Sequence, residues 1–140
     1  DGDYLHPRAN INKMAAGHAL DDNDRAPWLA ALNDAIFAME RTNDVSLLVC
    51  SALKKSYRDR LREGNRNLNF IYLKGDKAVI EERLKQRKGH FFKPQMLVSQ
   101  FATLEEPGAQ ETDVQAIEIA QPRDGVVADT LAYIRRVAAQ

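Results

Sequence analysis

Two carboxylates flank a glycine at the start of the sequence, in the run Asp1-Gly2-Asp3. Carboxylates placed this close can divide their work, one lying near a metal ion while the other accepts a proton from an attacking hydroxyl. The pattern alone is weak, because Asp-Gly pairs are also common in turns. An imidazole and a guanidinium follow at once, at His6 and Arg8. The whole run, DGDYLHPR, therefore indicates a candidate site in which acids, imidazole and guanidinium act together.

A second candidate site is a stripe of cations on the helix that is predicted after the first apolar run of the chain. Lys54, Arg58 and Arg62 recur at i, i+4 and i+8. Like charges at this spacing repel by about 0.2–0.5 kcal/mol per pair unless an anion lies over them. In one interpretation the stripe is a solvated helix face whose repulsion is partly offset by Asp59 and Glu63. Because Lys54 and Arg58 lie just after the carboxyl end of a predicted strand, where open α/β sheets bind ligands, we favour an anion site there.

The elements that must position these residues alternate between strands and helices. Three short apolar runs predict buried strands, at Val45–Cys50, Asn69–Gly75 and Gln115–Ala120. Helical spacing also predicts three helices. The first begins at Asp24 with Pro27 in its first turn, and its apolar face carries Trp28, Leu32, Ile36 and Met39. The second runs from the N-cap Asp76 through Arg87, and the third runs from about Gly125 to Ala138 with an apolar stripe of Val126, Val127, Leu131 and Ile134. The helix that carries the cations has its own core stripe, formed by Leu53, Tyr57 and Leu61. This alternation indicates an α/β fold with a helix-covered parallel sheet.

The segment between Arg83 and Phe101 interrupts the alternation. Basic residues crowd there around Gly89 and Pro94. Its composition is compatible with a solvated helical hairpin and with a mobile lid, and both interpretations stay open.

The composition narrows the class of protein. With 140 residues and neither a repeat nor a linker, residues 1–140 are predicted to form a single domain. The 20 basic and 20 acidic side chains cancel, which predicts no nucleic-acid partner. No apolar run approaches the ~20 residues of a membrane span, which predicts no membrane partner. The one cysteine excludes an internal disulfide and is typical of a reducing compartment, so the sequence predicts a cytoplasmic protein.

Several longer blocks of the sequence resemble a single family. The blocks are DGDYLHPRANINKMAAGHALDDNDRAPWLAALND, CSALKKSYRDRLR, FIYLKGD, RKGHFF, QMLVSQFATLEEP and DVQAIEIAQP. In this order they resemble gluconokinases of the thermoresistant bacterial type, P-loop kinases related to shikimate and adenylate kinases. The resemblance implies transfer of the γ-phosphate of ATP to the 6-hydroxyl of D-gluconate with Mg²⁺. It also implies a three-layer α/β/α fold with a central parallel sheet, a helical lid at about residues 83–101, and a homodimer.

One motif of that family, the Walker A sequence G-x-x-x-x-G-K-[ST], does not occur in the 140 residues, because none of the seven glycines precedes a lysine. We therefore expect the chain to lack the first strand, the P-loop and the first helix of the fold, about 30 residues. Asp1 is then expected at the end of the family's second strand. P-loop amides and lysine stabilise the phosphates in such kinases. Residues 1–140 alone are accordingly expected to show no measurable ATP-dependent phosphorylation.

The resemblance also implies roles for individual residues. Asp1 would hold Mg²⁺ through water, and Asp3 would orient or deprotonate the 6-hydroxyl of gluconate as a catalytic residue. The predicted substrate-binding residues are His6, Arg8, Lys54 and Arg58, of which Lys54 is also predicted to be catalytic. The predicted cofactor-binding residues are Arg83, Arg87, Lys88 and His90, which would close over the phosphates of ATP, and Gln121 and Pro122, which would lie near the adenine.

Two alternatives stay open beside this interpretation. One is a non-catalytic, truncated homologue that binds gluconate or a partner chain but no ATP. The other is a P-loop kinase that acts on another small hydroxy acid.

Overall fold

The computed structural model of the chain describes residues 1–87 and 93–140. After a 3-10 turn at Gly2–Leu5, the elements are α1 (Arg8–Ala15), α2 (Asp22–Thr42), α3 (Lys55–Arg62), β1 (Phe70–Lys74), α4 (Lys77–Gln86), α5 (Pro94–Thr103), β2 (Val114–Glu118) and α6 (Arg123–Ala138). The chain divides into two compact units, unit 1 with residues Asp1–Leu68 and Val98–Glu106, and unit 2 with Asn69–Leu97 and Pro107–Gln140. None of the described helices is long and apolar enough to span a membrane.

The long helix α2 organises unit 1, and its prediction from helical spacing is confirmed. It begins at a capping box, in which the Asp21 carboxylate accepts from the Asp24 backbone N–H at 2.8 Å and the Asp24 carboxylate accepts from the Asp21 N–H at 2.9 Å. The helix therefore starts two residues earlier than predicted, and Pro27 lies beyond its first turn. Trp28 and Leu32 from its apolar face are fully buried in the core.

Helix α3 packs against α2 in the same unit. Tyr57 and Leu61 are buried, which confirms two members of the predicted core stripe, whereas Leu53 lies before the helix begins. The end of α3 is fastened by Asn33 of α2, whose amide nitrogen donates to the carbonyl oxygens of Arg60 at 2.9 Å and Glu63 at 2.8 Å. These bonds satisfy carbonyls that a helix end leaves without an intrahelical partner.

The prediction of a buried strand at Val45–Cys50 is wrong. The run forms no strand ladder within the described residues, and the Leu47 side chain is 69% exposed. The Val49 carbonyl does accept a backbone hydrogen bond at 2.6 Å, from the Gly2 N–H. Apolar and β-branched composition favours an extended chain, but a strand also needs a neighbour that completes its ladder. The described residues provide no such neighbour for this run.

Unit 2 contains the parallel sheet that the sequence predicts. Strands β1 and β2 pair in parallel, with Phe70 opposite Val114 and Lys74 opposite Glu118. The connection between them carries α4 and α5, as a parallel pair requires. At the end of β1 the chain passes very close to the segment after β2, since a Cβ on Gly75 would lie 2.5 Å from the Ile119 side chain. The α/β class with parallel strands and helices is thus confirmed.

The helices of unit 2 differ from prediction in detail. Helix α4 has Asp76 as its N-cap, but the Asp76 side chain makes no capping hydrogen bond, and the helix ends at Gln86. Helix α6 begins at Arg123, and its buried residue is Tyr133. Val127 and Leu131 stay exposed, so the predicted apolar stripe of this helix is wrong at those two positions. Helix α6 turns the face that carries Tyr133, not these two residues, toward the interior of the unit.

Candidate active site

The two acids at the start of the chain lie on a tight turn that exposes both carboxylates. The Asp1 Oδ1 atom accepts from the Asp3 backbone N–H at 2.9 Å and so caps the 3-10 turn. Gly2 between them is buried, whereas Asp1 and Asp3 are exposed. The run therefore uses Asp-Gly turn chemistry and leaves both carboxylates accessible.

Gly2 is required at its position by a close approach of two chain segments. A Cβ at residue 2 would lie 2.6 Å from the Val49 carbonyl oxygen and 3.0 Å from the Leu32 side chain. The Gly2 carbonyl oxygen accepts a buried hydrogen bond at 2.9 Å from Nε1 of Trp28, which is only 1% exposed. Sequence reasoning placed Trp28 in the core and missed that it anchors the turn, because an indole N–H finds its acceptor only in the folded chain.

His6 lies against the same tryptophan. The His6 and Trp28 rings are stacked, with centroids 4.4 Å apart and planes 13° from parallel. The Nδ1 atom of His6 lies 3.2 Å from the side-chain nitrogen of buried Asn10. Burial lowers the pKa of His6 below 6.5, although the nearby Asp3 carboxylate acts in the opposite direction. The other predicted cation of this segment, Arg8, is exposed on the first residue of α1.

Lys54 belongs to a polar cluster that also includes Asp22, Tyr57 and Arg25. The Lys54 Nζ atom donates to both Asp22 carboxylate oxygens, at 2.9 and 3.2 Å. The Tyr57 hydroxyl also donates to Asp22 and accepts from Arg25 Nη1 at 2.9 Å. Hydrogen bonds from Tyr57 and then from Lys54 hold the pKa of Asp22 below its usual range, and the bond to Asp22 raises the pKa of Lys54.

A cavity of about 350 Å³ opens beside this cluster. Its lining residues are Leu20, Asp21, Asp22, Asn23, Arg25, Lys54 and Thr103. Both signs of charge border it, so the cavity is a polar site of mixed charge. The sequence predicted the cation Lys54 there and missed its counterion Asp22, which lies 32 residues away along the chain.

Arg58 is turned inward and does not share an open surface with Lys54 and Arg62. It is 3% exposed, and its guanidinium donates to the carbonyl oxygens of Ala52 at 2.9 Å, Leu53 at 3.3 Å and Glu105 at 3.0 Å. Arg62 bonds to Asp59 at 2.8 Å. Lys54 and Arg58 therefore do not line one open surface, and Asp59 offsets the charge of Arg62, as the solvated-face interpretation expects. The anion site at Lys54 and Arg58 stays a prediction.

The segment that leads into Lys54 is strained and is held from several sides. Ala52 has a φ of 28°, a left-handed conformation that residues with a Cβ adopt at a cost. Glu105 holds the same segment, because its N–H donates to the Leu53 carbonyl at 2.8 Å and its carboxylate accepts from the Lys55 N–H at 2.9 Å. Such strain persists only where the surroundings enforce it. Arg58 and Glu105 together enforce the conformation that places Lys54.

The predicted cofactor-binding residues fall in unit 2. Arg83 on α4 donates to the carbonyl oxygens of Ile119 and Gln121, each at 2.7 Å, so the structure brings Arg83 to the segment that follows β2. The Gln121 side chain donates to the Glu118 carbonyl at 2.7 Å, and Pro122 is the N-cap of α6. Arg87 follows α4 and is exposed. The predictions for Lys88 and His90 lie outside the described residues.

The exposed Asp1 carboxylate is the residue to test for fit to Mg²⁺. Among residues 1–87 and 93–140, no cluster of three or more His, Cys, Asp or Glu side chains could enclose a metal ion. Mg²⁺ in phosphoryl-transfer sites takes one or two carboxylates and fills its other positions with water and substrate phosphates. A single exposed carboxylate on a rigid turn fits that mode of binding.

Comparison with known proteins identifies the family. No protein-family model matches the chain. The chain is 71% identical over 136 residues to the thermoresistant gluconokinase of Escherichia coli K12, an alignment that covers 97% of the chain and 78% of that relative. The chain belongs to the gluconokinase family. The thermosensitive gluconokinase of the same organism is 48% identical over 119 residues, which cover 85% of the chain but only 64% of that relative, less than two thirds of its length.

A solved structure agrees with this family assignment. The crystal structure of a gluconokinase from Sinorhizobium meliloti 1021 matches 99% of the chain and 77% of its own, with a TM-score of 0.80 and 43% sequence identity. The resemblance of the sequence to the gluconokinase family is thus confirmed, and so is the prediction of an enzyme of the kinase class. The names of these relatives do not favour either of the two alternatives.

Proposed function

We propose that the protein transfers the γ-phosphoryl group of ATP to the 6-hydroxyl of D-gluconate, giving 6-phospho-D-gluconate and ADP. The observation that carries this proposal is the turn at residues 1–3, which is anchored by a buried hydrogen bond from Trp28 to the Gly2 carbonyl and leaves the two carboxylates exposed. Phosphoryl transfer needs a residue that orients the attacking group, and in protein kinases an aspartate does this for the substrate hydroxyl. The 71% identity to a thermoresistant gluconokinase supports gluconate as the acceptor.

Asp3 is the residue that we assign to the attacking hydroxyl. Its carboxylate is exposed and can accept the proton of the 6-hydroxyl as the oxygen attacks. Asp1 would hold Mg²⁺ through water, and the bound ion would neutralise charge on the transferred phosphoryl group. The hydrogen bond from the Asp3 N–H to the Asp1 carboxylate fixes the position of the Asp1 carboxylate relative to the backbone of Asp3.

The substrate carries hydroxyls and one carboxylate, and unit 1 offers partners for both. Arg8 and Lys54 are cations suited to the carboxylate. Lys54 has three N–H donors and directs two bonds to Asp22, so a substrate oxygen can share the ammonium with that counterion. We assign Arg58 a positioning role, in place of the direct substrate contact that was predicted. Its guanidinium donates to the backbone carbonyls of Ala52 and Glu105 and so holds the segment that precedes Lys54.

The nucleotide side of the proposal rests on residues of unit 2. Arg83 and Arg87 are cations at the end of α4, and Gln121 and Pro122 lie where α6 begins after β2. We propose that the cations approach the phosphates of ATP and that the segment after β2 lies along the adenine. Lys88 and His90 remain predictions for the same role.

A homodimer and a cytoplasmic location complete the proposal. Both follow from the family resemblance, and the single cysteine of the chain is compatible with a reducing compartment. Multi-angle light scattering of the purified full-length protein tests the dimer, for which twice the monomer mass is expected.

The acceptor substrate is tested by an assay that couples ADP release to a spectroscopic signal. The full-length protein is given ATP, Mg²⁺ and one of three acceptors: D-gluconate, shikimate or adenosine monophosphate. We expect the highest kcat/KM with D-gluconate and little or no turnover with the others. A ranking that places shikimate or the nucleotide above gluconate would contradict the proposal.

A further inference from the structure

The hydrogen bonds of Asn10 determine which nitrogen of His6 carries a proton. The side-chain nitrogen of Asn10 lies 2.8 Å from the backbone carbonyl oxygen of Asp24, an atom that can only accept. The Asn10 group at this position must therefore be the NH₂ and not the oxygen. The same NH₂ group lies 3.2 Å from Nδ1 of His6. Two donors cannot face each other, so Nδ1 must be the acceptor.

An accepting Nδ1 leaves the proton of a neutral imidazole on Nε2. The hydrogen-bond partner of one ring nitrogen of a histidine thus determines whether the other nitrogen carries the proton. Protonation of His6 would place an N–H on Nδ1 against the Asn10 NH₂, and this NH₂ cannot reverse without losing the Asp24 carbonyl. Asn10 is itself 4% exposed, so water cannot readily replace these bonds. The geometry thus disfavours the imidazolium.

The orientation of the ring is determined by Trp28. The two rings stack 4.4 Å apart, and the indole is immobilised by its burial and by its bond to the Gly2 carbonyl. Trp28 therefore positions both the His6 imidazole and the turn that carries the Asp3 carboxylate.

The charges that face His6 act in opposite directions. Asp3 raises the pKa of His6 and Arg25 lowers it, and the loss of solvation on burial is larger than either. The net pKa is lowered, which agrees with the neutral ring that the hydrogen bonds require.

We propose that Asn10 is a positioning residue that holds His6 as the neutral Nε2–H tautomer, so that His6 donates a hydrogen bond to an uncharged hydroxyl of the substrate. The inference rests on the proposed function for the identity of the substrate, a polyhydroxy acid. It assigns different residues to the two kinds of substrate group, which the sequence analysis did not separate. The cations Arg8 and Lys54 bind the carboxylate, and His6 donates a hydrogen bond to a hydroxyl.

The tautomer is tested by NMR without any activity measurement. Long-range ¹H–¹⁵N correlation spectra of the ¹⁵N-labelled full-length protein at pH 7.5 distinguish the two neutral tautomers and the imidazolium, and His6→Gln identifies the His6 signals. We expect the Nε2–H pattern. An Nδ1–H pattern or an imidazolium at this pH overturns the proposal, whether or not gluconate is the substrate.

The effect on catalysis is tested with a matched pair of variants on α1. Asn10→Asp replaces the donor facing Nδ1 by a carboxylate, which favours Nδ1–H and the imidazolium, and Asn12→Asp makes the same chemical change at an exposed position. We expect Asn10→Asp to move the acid limb of the kcat/KM profile to higher pH by about 1 unit or more and Asn12→Asp to leave it in place. Identical profiles for Asn10→Asp and the wild type overturn the positioning role. If the Asn10 variant fails to fold, the wild-type NMR pattern still decides.

Discussion

Replacing Gly2 by alanine tests whether the close approach at the turn holds Asp1 and Asp3, the two acids to which we assign Mg²⁺ binding and proton acceptance. The added Cβ would lie 2.6 Å from the Val49 carbonyl oxygen, 3.0 Å from Leu32 Cδ2 and 3.1 Å from Cys50 Cβ. The first neighbour is a backbone atom, and it also accepts a hydrogen bond from the Gly2 N–H at 2.6 Å. The turn and the Val49 segment must therefore move apart, and the bond between them is strained or lost.

The size of the effect follows from two opposing contributions. Overpacking a well-filled site costs about 1–3 kcal/mol. Alanine in place of glycine recovers about 0.4–1 kcal/mol through the lower entropy of the unfolded chain. We expect a net loss of about 1–2 kcal/mol in the free energy of unfolding. With a urea m-value of about 2 kcal/mol/M, the unfolding midpoint falls by about 0.5–1 M.

The assay is urea unfolding of the full-length protein followed by far-UV circular dichroism, together with kcat for gluconate phosphorylation. Gly108→Ala is the matched control, because its Cβ would meet only the end of the Gln110 side chain, at 3.1 Å. We expect the control to keep its turnover and to unfold at a urea concentration about 0.2–0.5 M higher than the wild type, because alanine again lowers the entropy of the unfolded chain. If Gly2→Ala unfolds at the same urea concentration as the control and retains wild-type kcat, the close approach does not hold the acids and the reasoning is refuted.

Three further predictions concern single residues of unit 1. Asp3→Asn is expected to lower kcat by ~10²–10⁴-fold with little change in KM. The control Asp34→Asn, the same change at an exposed position on α2, is expected to keep normal turnover. A near-normal kcat for Asp3→Asn would show that Asp3 has a structural role instead. Arg58→Ala is expected to lower the free energy of unfolding by about 1.5–3 kcal/mol and to raise KM for gluconate, because the segment before Lys54 loses its bonds to the guanidinium. A raised KM with an unchanged free energy of unfolding would instead indicate direct contact with the substrate. Burial raises the pKa of Cys50 to about 11, so iodoacetamide is expected to alkylate the native protein slowly at pH 8 and quickly in urea. The free energy of unfolding keeps its full value below the unfolded-state pKa of 9.0, where the thiol is protonated, and falls as the pH rises towards 11. Fast alkylation of the native protein at pH 8 would contradict the burial of Cys50.

Much of the fold could be predicted because it depends on residues close together in the chain. The periodicity of α2 follows from apolar side chains spaced three and four residues apart, and β1 and β2 follow from short apolar runs. The Asp-Gly-Asp turn is local too, since Asp1 caps the N–H of a residue two positions away. The run Val45–Cys50 shows the limit of this reasoning, because its composition favours a strand but the described chain gives it no ladder partner.

The sequence by itself determined which residue types are available: two acids around a glycine, an imidazole after them, and cations at helical spacing. Only the tertiary structure decided what each of them does. Arg58 turns inward because the carbonyls of Ala52, Leu53 and Glu105 converge on it, and Lys54 pairs with an acid 32 residues away. The Trp28–Gly2 bond spans 26 residues. No local pattern encodes these partners, because a buried polar group takes whichever partner the fold brings within hydrogen-bonding distance.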